Sequence, residues 1–329
     1  QPFIVAGSGT LAMELAIANL VEPGDKALVV NAGFFSDRMA DVLKTHGAEV
    51  DIAPSALGEV PGVDAVRTML KADKYKLMCI TQVDTSTGIR SQVKELAAVA
   101  RSEGVLSVVD GVCAVAGEEL RQDEWSVDVA LTASQKAVGV PPGLALLVAG
   151  PRALGAFNAR KTPVRSYYCD WGKWLPVMEA YEARKPAYFG TPAVNLVRAL
   201  NVSLGQILEE GMELRFKRHE LGARAMRAGL KAMGMDFVPA REDLCASTLT
   251  APWYPEGIDA SVLSRIAAEG VVLAGGLHPE IKARYFRIGH MGASGATEIL
   301  ATLGAIERGF AASGYRFGAG EAVAAAQAV

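Results

Sequence analysis

The sequence predicts an α/β fold, a mostly parallel sheet with helices on both faces, followed by a smaller α+β unit. From Thr10 to about Leu131, helical amphipathic stretches alternate with short β-branched runs. The runs 27–30, 105–109 and 144–148 are apolar throughout, so they read as strands buried on both faces, the habit of a sheet between helical layers. The chain has 329 residues and half are hydrophobic, enough for a large core and more than one domain.

Taken in order, 11–21 reads as a helix stopped by Glu22-Pro23-Gly24-Asp25, and 26–30 as a strand. A helix over 35–46 ends at Gly47, the favoured residue just past a helix, and 48–53 returns as a strand. Helix 64–72, strand 76–81, helix 93–103 and strands 105–110 and 127–132 continue the alternation. Between Arg165 and Pro192, Tyr167, Tyr168, Trp171, Trp174, Tyr181, Tyr188 and Phe189 crowd into what reads as a loop-rich aromatic stretch. A long helical region, 194–233, is broken near Gly211. Beyond it come a strand-like segment over 237–251, a helix over 259–269, strands at 271–273 and 285–288, and a helix over about 297–310. The expected division is a large domain over 1–190, a helical connection over 191–233, a small C-terminal domain over 234–313, and a Gly- and Ala-rich flexible tail over 314–329 with little to dock. Gln1-Pro2-Phe3-Ile4-Val5 runs into a glycine turn without an initiating Met, so an N-terminal segment is expected to be missing.

The 33 Lys and Arg against 36 Asp and Glu give a net charge of −3 with both signs mixed, which argues against a nucleic-acid partner or a polybasic membrane patch. The apolar runs fall short of the roughly 18 residues of a membrane helix. Cys79, Cys113, Cys169 and Cys245 lie far apart with no CxxC, and His46, His219, His278 and His290 lack ligand spacing, so no metal is assigned and a reducing intracellular compartment is expected. Nothing in the sequence separates cytoplasm, mitochondrion and peroxisome. A small-molecule enzyme is the default.

Three places carry chemistry. Gly7-Ser8-Gly9-Thr10 follows an apolar run and opens a helix, where backbone N–H groups stabilise a phosphate. With Ala12 it also fits GxGxxA, yet Asn31 stands where a dinucleotide site expects an acid for the ribose; a plain glycine turn is the other reading. Asp110 ends a very apolar strand, and a buried carboxylate needs a cationic partner: the structural reading is a helix cap or a salt bridge, the functional one a protonated pyridine nitrogen. Lys136, in Ser134-Gln135-Lys136 after the next strand, sits among small and apolar residues, placed to lose its proton and form a Schiff base.

This ordered set resembles the class V (fold type I) pyridoxal-phosphate aminotransferases, and within them the alanine-glyoxylate branch. The similarity runs from Gln1 to about Phe310 through Gly7-Ser8-Gly9-Thr10, Phe35-Ser36-Asp37-Arg38, Asp84-Thr85-Ser86-Thr87-Gly88, Val109-Asp110, Ser134-Gln135-Lys136, Tyr188-Phe189-Gly190-Thr191-Pro192 and Arg287-Ile288-Gly289-His290-Met291-Gly292. The resemblance implies that Lys136 holds pyridoxal 5′-phosphate covalently and moves the substrate proton, Asp110 binds the pyridine nitrogen, and Val112 and Phe35 pack on opposite ring faces. Phe35 departs from the tryptophan of many relatives and keeps stacking with a smaller ring. Thr85 would bond near the phenolic oxygen; Ser8, Gly9, Thr10 and Gln135 would hold the phosphate, Thr10 standing where relatives often have histidine. Tyr188 and Thr191 would reach the phosphate bound by a neighbouring subunit, which makes a homodimer with shared sites, and Arg287 would clamp the substrate carboxylate bidentately.

The activity implied is transamination of glyoxylate with L-alanine, giving glycine and pyruvate, with serine-glyoxylate or serine-pyruvate transfer as the alternative and an inactive cofactor-binding scaffold as the non-enzyme one. A desulfurase role for Cys245 is rejected, because Asp243-Leu244-Cys245-Ala246-Ser247 leads into a strand and Gln135 stands where desulfurases carry histidine. Cys113 reads as packing.

Overall fold

The structure, a computed structural model, describes all 329 residues. The chain starts with β1 (Pro2–Ala6), turns into α1 (Gly9–Leu20), and alternates through β2 (Lys26–Val30), α2 (Phe34–Thr45), β3 (Glu49–Ala53), α3 (Val63–Ala72) and β4 (Leu77–Thr81). A short hairpin of β5 (Val83–Asp84) and β6 (Ile89–Arg90) precedes α4 (Val93–Ser102), β7 (Leu106–Asp110), β8 (Val129–Ala133) and β9 (Leu144–Ala149). These build a seven-stranded sheet in the order β1-β9-β8-β7-β4-β2-β3. Neighbours from β8 to β3 are parallel, and β9 alone runs against both β8 and β1.

Alternate residues of each strand serve opposite faces, and in the central strands β2, β4 and β7 both faces are buried, while the edge strands β1 and β3 expose one. In β4, Leu77 and Cys79 join the cluster built on α1, α2 and α5 (Pro151–Asn158), while Met78 and Ile80 join the cluster under α3 and α4. This explains why the strands read as unbroken apolar runs. α1 is buried nearly all round, and its one interior polar group is satisfied: Asn19 donates to the carbonyls of Leu15 (2.8 Å) and Cys169 (2.7 Å) and accepts from Trp171 N (2.8 Å).

That contact bears on the aromatic stretch, which departs from the sequence reading. Trp171 to Glu182 is a helix, α6, capped by Asp170, whose carboxylate accepts from Gly172 N at 2.9 Å. Trp171 is fully buried and stacks on Phe3 at 5.2 Å, so burial of indole surface overrides the cost of Pro176 inside the helix.

After α6 come α7 (Val194–Glu210) and α8 (Met212–Ala232), separated by Gly211 at φ 81°. β10 (Leu249–Thr250), α9 (Val262–Ala268), β11 (Ala274–Gly275), β12 (Phe286–Gly289), α10 (Ala296–Ala312) and α11 (Glu321–Gln327) complete the chain. The three strands pair antiparallel as β10-β12-β11, and α8, α9, α10 and α11 pack a separate core around Phe286, Ile288 and Phe310. The strand expected over 237–251 shrinks to β10 and an isolated Phe237–Pro252 bridge, with a 3-10 turn at Glu242–Leu244. The tail expected to fray instead ends in α11. Ala322 is fully buried, the α11 amide of Ala322 donates to Glu307 at 2.8 Å, and Gly229 on α8 gives the close approach that an alanine-rich helix needs. No helix is long and apolar enough to cross a membrane, and all four cysteines are buried free thiols.

Candidate active site

In a sheet of this topology the C-terminal ends of β2, β4, β7 and β8 lie along one edge, and the residues that follow them form the site. Ser8 caps α1 without using its side chain, so its hydroxyl and the first-turn amides of the helix are free for an anion. Gly9 is required by packing: a Cβ there would stand 2.9 Å from a Val112 methyl. Thr10 Oγ1 accepts from Arg38 Nη1 at 3.1 Å.

Asp110 ends β7 and is 2% exposed, with one hydrogen bond to its carboxylate, from Val112 N at 2.9 Å. Burial pushes its pKa up to about 7; the Val112 amide opposes the shift, the neighbouring Asp84 reinforces it, and Lys136 and Arg38 pull it back. Asp84, fully buried, is also pushed up by burial, against hydrogen bonds from Ser86 Oγ (2.6 Å), Ser86 N (2.9 Å), Phe35 N (2.9 Å) and Ser36 N (3.2 Å). Two of those donors belong to the first turn of α2, which fixes Phe35 over the cavity.

Lys136 lies between β8 and β9 in a loop stapled by Ser134, whose hydroxyl donates to Pro141 O (2.8 Å) and accepts from Leu144 N (3.2 Å). Asp110, Val112, Gln135 and Lys136 meet Ser8, Gly9 and Thr10 across a cavity of about 280 Å³. Phe35 and Thr85 complete the wall from the α2 side. A larger cleft of about 370 Å³ lies beyond Gly33 and Thr87, with no lysine in its walls.

Three of the expected site residues lie outside the cavity wall. Arg287, half-buried on β12, donates through Nε to Gly275 O (2.8 Å) and through Nη1 to Thr85 O (3.2 Å), which seats it at the rim. Tyr188 is 75% exposed and pairs with Thr191 at 3.3 Å between their hydroxyls, away from the cavity of their own chain. Sequence reasoning assigned no role to Arg38, Asp84, Met13 or Val83, and read Cys113, which also lines the cavity, as packing. For Arg38 a signal existed: it follows Phe35 by three residues on α2, so both face the same side. Its guanidinium lies 4.9 Å from the Phe35 ring centre, and no carboxylate is within ion-pair distance of it.

Residues 3–276 match the family described as Aminotransferase class-V. The chain belongs to the class V aminotransferases. It is 38% identical to alanine–glyoxylate aminotransferase 1 of Saccharomyces cerevisiae over 91% of this chain and 80% of that protein. With the L-aspartate–glyoxylate aminotransferase of Paracoccus denitrificans it shares 34% over 99% of this chain and 82% of the relative. The crystal structure of ureidoglycine-glyoxylate aminotransferase from Bacillus subtilis superposes with a TM-score of 0.92 at 29% identity, covering 100% of this chain and 84% of that one.

Class V aminotransferases depend on pyridoxal phosphate, and the residues of this chain fit that group. The buried Asp110 carboxyl has a single donor and lacks a cation, which a pyridinium nitrogen supplies. At the other end, free helix amides and an unpaired guanidinium suit a phosphate. As a class V aminotransferase the chain is a pyridoxal-phosphate-dependent enzyme.

Proposed function

We propose that this aminotransferase moves the amino group of L-alanine to glyoxylate, giving pyruvate and glycine. The observation that carries the reading is that Lys136, Asp110 and the α1 N-terminus face one small cavity, with Arg287 tethered to Thr85 at its rim. The relatives named above share glyoxylate and differ in donor, being named for alanine, aspartate and ureidoglycine. The cations in this cavity wall are Lys136 and Arg38, and both have work to do. A donor with a second carboxylate finds no further guanidinium there, which favours alanine over aspartate.

Pyridoxal phosphate supplies a carbonyl to carry the amino group and an electron sink for the substrate Cα carbanion. Lys136 Nζ would hold the cofactor covalently and, as general acid and base, would carry the proton between the substrate Cα and the cofactor C4′. Asp110 would stabilise positive charge at the ring nitrogen, Val112 and Phe35 would hold the ring between them, and Thr85 would serve its phenolic oxygen, all four lining the one cavity. Ser8, Gly9, Thr10 and Gln135 would hold the phosphate. Arg287 fixes the substrate carboxylate, which orients the Cα–H bond toward Lys136. The second half-reaction runs the same groups backwards on glyoxylate.

The working unit is a homodimer. Tyr188 and Thr191 project from their own chain, and α7 beside them exposes Val194, Val202, Leu204 and Leu208, a surface that a second copy would bury. The test is a donor panel against glyoxylate with alanine, serine and aspartate: alanine should give the highest kcat/KM, and a serine value well above it overturns the ranking. Borohydride should trap cofactor on Lys136, Arg287→Ala should keep the yellow colour while losing turnover, and an active monomer by light scattering would remove the shared site.

A further inference from the structure

Outside the cavity, one charged cluster, buried at Arg215 and His219 and half-buried at Glu210 and Arg218, contacts several active-site loops at once. It lies where α7 passes into α8. Arg215 is 5% exposed and spends its guanidinium three ways: Nε to Ala116 O, Nη2 to Ala137 O and Nη1 to Glu210, each at 2.7 Å. Ala137 directly follows Lys136. Ala116 closes the turn that starts at Asp110 and sits at φ 69°, a conformation an alanine holds only when its surroundings impose it. Arg218 donates to Glu210 (2.6 and 3.0 Å) and to the carbonyls of Gly292 (2.9 Å) and Ser294 (2.6 Å), in the loop that follows Arg287 on β12.

His219 closes the set. Its Nε2 accepts from Gly292 N at 3.0 Å, so Nδ1 carries the proton and donates to Arg215 O at 2.8 Å. Burial holds its pKa below the ordinary histidine range, with the Arg218 and Arg215 charges adding to that shift, and the ring is the neutral form this pattern needs. The Gly292 loop reaches Lys136 itself: a Cβ on Gly292 would be 3.8 Å from Lys136 O.

We propose that the Glu210–Arg215–Arg218–His219 cluster is a positioning unit that sets the spacing among Asp110, Lys136 and Arg287. It rests on the aminotransferase reading of those three residues. The geometry explains why arginine stands at 215: two carbonyls on separate loops and a carboxylate are met by one rigid fork, which a lysine ammonium on a flexible stem cannot span. Glu210, pulled down to about 2 by Arg218 and then Arg215 against burial, keeps the two guanidinium groups from repelling each other.

The test compares Arg215→Lys and Glu210→Gln with wild type and with Arg241→Met, a surface control whose guanidinium pairs with Glu59 and Asp243. Five quantities are read on the cofactor-loaded protein: melting temperature, cofactor Kd by fluorescence quenching, the pH midpoint of the bound cofactor's visible band, and kcat and KM for alanine. The expected result in Arg215→Lys is a roughly tenfold or greater fall in kcat and a displaced band midpoint in a protein that still melts cooperatively and binds cofactor. Glu210→Gln should move the same quantities less, and Arg241→Met none of them. If kcat falls only as far as the folded fraction falls, with the band midpoint unmoved in both variants, the cluster is structural and the proposal is overturned. A wild-type chain that loads cofactor but fails to transaminate overturns the aminotransferase reading instead.

Discussion

Asp84 and Asp110 are two carboxylates buried to nearly the same degree, close enough that the Asp84 charge raises the pKa of Asp110, yet they are built for different ends. Asp84 receives four hydrogen bonds and caps α2; Asp110 receives one and faces a cavity. The first is satisfied by its own chain. The second carries an unmet demand for positive charge, maintained by a fold stable enough to tolerate it. A buried acid is therefore a functional signal only after its donors have been counted.

The largest effect expected from breaking this contrast is at Asp110. Asp110→Asn keeps an acceptor for Val112 N and removes the charge, so kcat/KM should fall by roughly 10² to 10³ while the melting temperature of the cofactor-free chain holds or rises. Steady-state kinetics beside a thermal melt would show it, and a variant with near wild-type turnover would deny Asp110 its role. Asp84→Ala should do the reverse, costing about 2 to 4 kcal/mol of stability by stranding buried donors; an unfolding midpoint in denaturant that does not move would mean the four bonds matter little.

Arg38→Met sharpens the comparison from the anion side. Removing an unpaired guanidinium beside the α1 N-terminus should weaken cofactor binding by about tenfold and leave the fold intact, measured as Kd by fluorescence titration. The smallest effect lies in pH dependence, superimposed on the other carboxylates. Asp110 in the folded, cofactor-free chain holds its proton up to about pH 7, whereas in the unfolded chain it loses it near the ordinary carboxylate value. The folded state binds the extra proton between those limits, so Asp110 contributes stability that declines as pH rises toward 7. Asp110→Asn should flatten that slope in melts of the cofactor-free chain, and an unchanged slope would show that Asp110 ionises normally.

Much of the site was legible because it is local to strand ends. Ser8, Asp110 and Lys136 each sit within a few residues of a strand, and parallel strands bring such residues to one edge however far apart they are in sequence. The strands themselves were legible because burial on both faces makes them apolar without interruption. α6 was not, since Pro176, Gly172 and clustered aromatics have the composition of a loop, and only the pocket among Phe3, Phe157 and Asn19 makes a helix there. α11 was missed for a related reason: alanine side chains offer little area, and their value depends on how closely Gly229 lets the backbones approach. The Arg38–Thr10 contact, 28 residues apart, and the clamp of Arg215 on Ala116 and Ala137 are long-range pairings with no periodicity to betray them.

The reversal of β9 has a consequence for how Lys136 meets its cofactor. A parallel successor to β8 would need a crossover of a dozen or more residues, whereas β9 returns beside β8 through a hairpin whose ends are already paired, Ala133 opposite Ala145. Closing so short a loop forfeits little chain entropy, and the Ser134 staple and the Val140 N to Ser134 O bond (2.9 Å) remove most of what is left. The backbone of Lys136 is thus immobilised during folding, so cofactor capture orders only a side chain. Amide exchange at Val140 and Leu144 should accordingly be slow before any ligand is added and change little after it.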